Sequence, residues 1–366
     1  MPVDISRSLP FDYTDTALPW GLRRFGRQLA AFQQKLDASA AVAEKVARKK
    51  RGYVHRPRLE EATRGHRLHA AKGRGPLFML EGLSRIALGT GGDEAVFGQV
   101  LAQVKVLEDG LGEVDFWWAF LESFEKMGLP VQLQAWAETH HAHACGKLEG
   151  ALEAGGWVEH RHLPEGTKAL RVRTLGRLLE DQDWPGAKKE RRKLAAFIGK
   201  KLRRVHEAAQ QLDMNDLEHG LHELRRKLRW FSIYAACLEG AVTLDKKAAP
   251  PKGWGRYMAP EVVNNPFNQL PAAPGGVDPV LFPAPLFYAL SWMIAELGAV
   301  KDRAQLTETV DAGIRVTGLK ATAKGLLGTV ATSHAEAAKV AQEMVKQTVL
   351  GDRLLLRLAD AVDAQG

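Results

Sequence analysis

Residues 219–231 read HGLHELRRKLRWF. At about 100° per residue, Leu217, Leu221, Leu224, Leu228 and Phe231 fall on one apolar stripe of a helix, and His219, His222, Arg225, Arg226 and Arg229 fall on another side. Ile233 and Cys237 continue that second side. A side that is basic for two turns and then apolar is one that the fold partly covers, so the stretch predicts a helix whose basic wall faces something. The plainer alternative is a solvated basic face with ordinary ion pairs. Glu218 and Glu223 stand close enough to pair locally but are too few to neutralise Arg225, Arg226, Lys227 and Arg229.

The charge around this helix is concentrated. Residues 187–229 hold thirteen Lys and Arg against six Asp and Glu, which is +7 of the chain's net +8. An excess placed so locally favours a polyanionic partner such as nucleic acid, anionic lipid or polyphosphate. Upstream, KKERRKLAAFIGKKLRRVH at 188–206 repeats the design: Lys189, Arg192, Lys193, Lys200 and Arg203 share one side, and Phe197, Ile198, Leu202 and Val205 the other. Joined through AAQQLDMND, the two helices predict a hairpin that lays both basic stripes along one groove. A lysine-rich solvent face is the alternative for the upstream helix. A membrane-surface helix is a further one, although its apolar side offers little aromatic beyond Phe197.

Helical spacing runs through most of the chain. Leu22, Phe25, Leu29, Phe32 and Leu36 recur at three and four residues, as do Leu194, Ile198, Leu202 and Val205. Strand-like alternation is confined to a fragment near 170–173, so the expected class is all-α. LFPAPLFYALSWMIAELGAV, broken by Pro283 and Pro285 and carrying Glu296, predicts a buried helix beginning near Pro285 and not a membrane span. A Gly-rich, turn-prone stretch at 146–166 separates a first helical-bundle half, residues 1–160, from a second, residues 161–366. Residues 246–285 concentrate prolines and read as a long insertion in the second half.

An internal echo supports two halves. LHAAKGR from Leu68 matches LHELRRK from Leu221, placing His222 153 positions after His69. LGEVDF from Leu111 matches LGAVKD from Leu297, a separation of 186. The offsets differ by about the length of the insertion, so one duplication with one insertion accounts for both. In KGRGP, from Lys72, Gly73, Gly75 and Pro76 interrupt the helix, and Pro76 is placed to open the next one. The stretch is either an anion site made of free amides beside Lys72 and Arg74, or a simple connector.

Other chemistry is sparse. In THHAHAC, His141 and Cys145 face together on a helix, yet no carboxylate or second histidine completes a set at a convincing spacing, so no metal is expected. No phosphate loop of the G-x-x-x-x-G-K-[ST] type and no nucleophile elbow is present, so neither a cofactor nor catalysis is expected. Two distant cysteines, Cys145 and Cys237, do not make a disulfide framework and suit a reducing compartment. MPVDISRSLPFDYTD has no apolar segment of the secretory kind, and the expected location is the cytoplasm.

LEHGLHELRRKLRWF, residues 217–231, resembles the signature helix of the conserved histidine α-helical domain, the CHAD family. LGEVDF and LGAVKD resemble the helix that follows each of that family's two signatures. The resemblance implies two helical bundles of long antiparallel helices, related by an internal pseudo-two-fold duplication, that line a positively charged channel binding inorganic polyphosphate. It implies His222, Arg225, Arg226, Lys227 and Arg229 as ligand-facing residues. The first signature departs from the pattern: His69 matches, Lys72 stands where an arginine is usual, and Gly73, Gly75 and Pro76 replace helical and basic positions. His69, Lys72 and Arg74 are the first half's candidates, and Lys189, Arg192, Lys193, Lys200 and Arg203 join the site on the charge pattern. The expected function is non-catalytic polyphosphate binding, with polyphosphate granules as a compatible location. Non-specific nucleic-acid binding is the alternative. Stacking aromatics among the basic residues would favour it, and only Trp230 stands near the stripe.

Overall fold

The computed structural model describes residues 9–41, 63–158 and 171–365, which form two compact units, Met1–Trp184 and Pro185–Gly366. Residues 1–8, the expected boundary at 160 and the end of the Gly-rich stretch lie outside the described residues. Helix dominates both units, as the periodicity predicts, and the class is all-α.

The first unit contains α1 (Trp20–Ala41), α2 (Arg64–Ala70), α3 (Arg74–Gly89), α4 (Glu94–Lys126), α5 (Val131–Ala154) and α6 (Arg171–Glu180). Only residues 90–93 and 127–130 separate α3 from α4 and α4 from α5, which makes them antiparallel neighbours. Asp93 starts α4 by accepting from the amides of Ala95 (2.8 Å) and Val96 (3.2 Å). Leu22, Phe25, Leu29, Phe32 and Leu36 are all buried, and α1 packs on α3.

Two sequence readings change here. Residues 171–173 of the strand-like fragment open α6, because Val172, Leu175 and Leu179 recur at helical spacing and bury against α1, and residue 170 lies outside the described residues. Gly146 and Gly150 lie inside α5 and do not end it. The unit boundary falls at Trp184–Pro185, later than 160, because α6 and Trp184 belong to the first core. The Trp184 indole packs on Phe25 and Phe97, with ring centres 5.8 and 5.7 Å away, and donates to Leu179 O at 3.0 Å.

The second unit contains α7 (Ala187–Gln211), a π-helical turn (Leu217–His222), α8 (Glu223–Cys237), β1 (Val242–Asp245), α9 (Pro260–Val263), β2 (Val280–Pro283), α10 (Ala284–Thr317), α11 (Ala323–Leu327), α12 (His334–Met344) and α13 (Leu354–Asp363). α10 begins one residue before Pro285, as expected. The proline-rich insertion lies between the two strands, which pair in parallel with Val242 opposite Val280 and Asp245 opposite Pro283. Parallel pairing demands a long return, and residues 246–279 supply it. They are anchored on α10: Trp254 and Tyr257 are buried, and the Tyr257 ring meets Trp292 at 5.2 Å. Among the described residues, no helix is long and apolar enough to cross a membrane.

Two glycines test this packing with opposite signs. A β-carbon on Gly220 would lie 1.8 Å from Asp213 O, whereas one on Gly150, in α5, would meet nothing within 4 Å. Gly220→Ala is expected to lower Tm by several degrees, reflecting an overpacking cost of about 1–3 kcal/mol. Gly150→Ala should raise it slightly, by the roughly 0.5–1 kcal/mol that alanine gains over glycine inside a helix. Thermal unfolding followed by circular dichroism checks both.

Candidate anion-binding site

The basic helix takes its place through its apolar side. Asp216 accepts from the amides of Glu218 (3.0 Å) and His219 (2.7 Å) and starts the π-turn. Leu221, Leu224, Leu228 and Phe231 are then buried in succession. On the other side His222, Arg225 and Arg229 are half-buried, Arg226 is exposed, and Ile233 and Cys237 are buried, so the basic stripe does run into cover. His219 is exposed, because the wider π-turn sets it apart from the stripe that begins at His222.

Arg225 joins this wall to α10. Its Nε donates to Ile294 O on α10 at 3.3 Å, and its guanidinium lies against Gly298: a β-carbon there would be 2.7 Å from Nε. Lys301 stands three residues past Gly298, one helical turn along the same face of α10. Its side chain is 13% exposed, and its Nζ lies 3.0 Å from Asp302 Oδ1. Two further pairings are local. His222 Nδ1 lies 3.0 Å from Glu218 Oε1, while Glu223 holds Arg226 at 2.5 Å and Lys227 at 2.7 Å. Burial acts to raise the pKa of Glu223, but the hydrogen bond and charge of Lys227 and the charge of Arg226 outweigh it, and the carboxyl sits below its ordinary value.

The upstream stripe divides. Lys189, Arg192 and Lys200 are exposed on α7, and Lys193 is half-buried. Arg203 turns to α13, where Nη2 donates to Asp360 Oδ1 (2.9 Å) and Asp363 Oδ2 (2.6 Å), so its charge is already matched. Arg191, which the sequence reading did not single out, bonds to the insertion through Asp278 at 3.1 Å and to the carbonyl of Gln365. The acids that pair with Arg203 lie 157 and 160 residues farther along the chain. No local pattern signals such a pair.

In the first unit the break at KGRGP is real but begins earlier than expected. α2 ends at Ala70, Lys72 takes a left-handed conformation with φ 59°, and α3 opens at Arg74, two residues before Pro76. Pro76 falls in the first turn, where its missing N–H leaves no helical bond unmade. What fills this place is Arg74 held by carboxylates. Its Nε and Nη2 donate to Glu108 Oε1 at 3.0 and 2.8 Å, and Nη1 donates to Asp115 Oδ2 at 2.9 Å. Asp115 Oδ1 also meets His69 Nε2 at 3.1 Å, and Lys105 Nζ lies 3.0 Å from Glu108 Oε2. Of the three first-half candidates, His69 and Arg74 are thus brought together around one carboxylate.

The two units share a local device. The Arg74 guanidinium lies on Gly112 of α4 as that of Arg225 lies on Gly298 of α10, with the would-be β-carbon of Gly112 2.7 Å from Arg74 Nη2. The residue on the glycine in the first unit is Arg74, two positions beyond the Lys72 that the sequence match sets opposite Arg225. Four residues before and three after these glycines, α4 carries Glu108 and Asp115, where α10 carries Ile294 and Lys301. The first unit closes its basic groups on acids; the second puts an apolar residue and a cation there.

No family model matches the chain, and neither the curated proteins nor the solved structures contain a match to it.

Glu108 and Asp115 give this difference a pH signature. At Glu108 burial pushes the pKa up, and Arg74 and Lys105 more than reverse it; at Asp115 the His69 hydrogen bond, followed by Arg74, overcomes burial. Both folded-state values are depressed. The stability they contribute is therefore complete above the ordinary carboxylate pKa of about 4 and is lost as pH falls through the lowered folded value. Tm should drop between about pH 5 and pH 3. Glu108→Gln should start from a lower Tm at pH 6 and show a flatter acid limb in a calorimetric pH series.

Proposed function

We propose that the second unit binds inorganic polyphosphate, without catalysis, on the face formed by His222 of the π-turn and Arg225 and Arg229 of α8 with Lys301 of α10. The observation that carries this reading is the seam at Gly298. Arg225 is held there by a backbone carbonyl and packed on a glycine, and the positions that supply Glu108 and Asp115 in the first unit supply Ile294 and Lys301. An enclosed guanidinium with a neighbouring ammonium is a strong donor set for phosphate oxygens. Exposed Lys189, Arg192 and Lys200 add long-range attraction, and Arg226, 60% exposed, can turn from Glu223 to a phosphate oxygen. The likeness of residues 217–231 to the CHAD signature supports the same ligand. The location that goes with it is the cytoplasm and its polyphosphate granules. For nucleic acid the stripe lacks free stacking rings, since Trp230 is stacked on Tyr234 with ring centres 5.6 Å apart.

Titration of the full chain with long-chain polyphosphate tests this reading. Arg225→Gln and Lys301→Asp should each weaken binding at least about tenfold, the scale of one lost charge-assisted hydrogen bond, while Arg74→Gln should change it less than twofold. With four phosphates engaged, log Kd against log salt should have a slope of magnitude about 3. Equal losses from Arg74→Gln and Arg225→Gln would place the ligand elsewhere. Single-stranded RNA displacing polyphosphate at equal phosphate concentration would favour the nucleic-acid reading.

A further inference from the structure

The first unit holds a second cluster that the basic site does not use. His141 and Cys145 lie one turn apart on α5, 6% and 2% exposed, with Cys145 Sγ 3.6 Å from His141 Nε2. The second histidine that the sequence pattern lacks arrives from α2. His66 sets its ring 5.2 Å from that of His141, at 87°, and the three residues offer one ligand atom each within 4.8 Å of one another.

We propose that His66, His141 and Cys145 bind a zinc-class divalent metal ion, through two imidazoles and a thiolate. A tetrahedral zinc with Zn–S of about 2.3 Å and Zn–N of about 2.0–2.1 Å places sulfur and nitrogen about 3.6 Å apart and two imidazole centres about 5 Å apart. The cluster already has both spacings. The backbone is built to hold it: a β-carbon on Gly65 would lie 2.5 Å from Cys145 O, so only a glycine lets α2 approach α5 closely enough to deliver His66. Thr63 caps α2 by accepting from His66 N at 3.2 Å and so fixes the turn that carries His66. The Trp118 ring, 5.2 Å from His66 and 5.4 Å from His141, walls the site with apolar surface. A nitrogen-rich set with one soft sulfur selects zinc-like ions over magnesium or calcium. Three protein ligands leave the fourth position to water or another small donor. Binding ties α2 to α5 independently of any polyphosphate.

Full-length protein stripped with a chelator and titrated with zinc should bind one equivalent at micromolar concentration or below and gain several degrees in Tm. Cobalt(II) should report the ligands directly, with a sulfur-to-metal charge-transfer band in the near ultraviolet and visible bands of tetrahedral intensity. Cys145→Ser should remove the charge-transfer band, His66→Ala should weaken binding at least tenfold, and Cys237→Ala and His143→Ala should leave both unchanged. The proposal fails if the wild-type chain binds no zinc at 100 µM, or if cobalt binds without a charge-transfer band. It fails equally if that band survives Cys145→Ser and disappears with Cys237→Ala.

Discussion

A guanidinium can lie in a helix–helix seam only where the opposing helix leaves room for it, and both units meet that constraint with a glycine on their longest helix. Gly112 receives Arg74 and Gly298 receives Arg225 at distances no β-carbon would permit. The packing around each seam is apolar on the far side, through Leu77 and Leu80 in α3 and Leu224 and Leu228 in α8. The arginine is therefore carried inward by its helix whatever its charge demands. What satisfies that charge is left to the residues that flank the glycine.

The flanking residues divide the units chemically. In the first, Arg74 is 29% exposed and Glu108 only 6%, and a pair this enclosed is costly to part, because either ion alone would be stranded away from water. An incoming phosphate would have to displace such a partner. In the second unit the paired acids Glu218 and Glu223 belong to the same helical segment as their bases and stand nearer to solvent, where an ion pair is worth little.

The thiol–imidazole cluster follows another route to enclosure. A glycine, Gly65, again permits a close approach, here of one backbone to another. Burial lowers the pKa of His141 to about 4, and burial raises the Cys145 thiol to about 11, so without a metal ion both groups are neutral across the physiological range. They sit beside Trp118 as part of the apolar core of the first unit, one turn of α2 away from the His69–Asp115 contact.

Much of this was legible in the sequence because it is local. The spacing of Leu22 to Leu36 and of Leu221 to Phe231 determined which helices form and which sides they bury, and the run from His222 to Cys237 showed a basic stripe entering cover. Pro285 marked the start of α10, and the echo of LGEVDF in LGAVKD paired the two segments, although not the glycine contacts they make. The extent of the first unit was not legible, since α6 and Trp184 join it through contacts with Phe25 and Phe97 far away in the chain. Nor was the fate of each charge. Arg203 is matched by Asp360 and Asp363, Arg74 by Glu108 and Asp115, and His141 is met by His66, each across dozens of residues or more. Periodicity fixes the direction in which a side chain leaves its helix, but the partner it meets depends on which helix the fold packs opposite. That choice was made by tertiary structure.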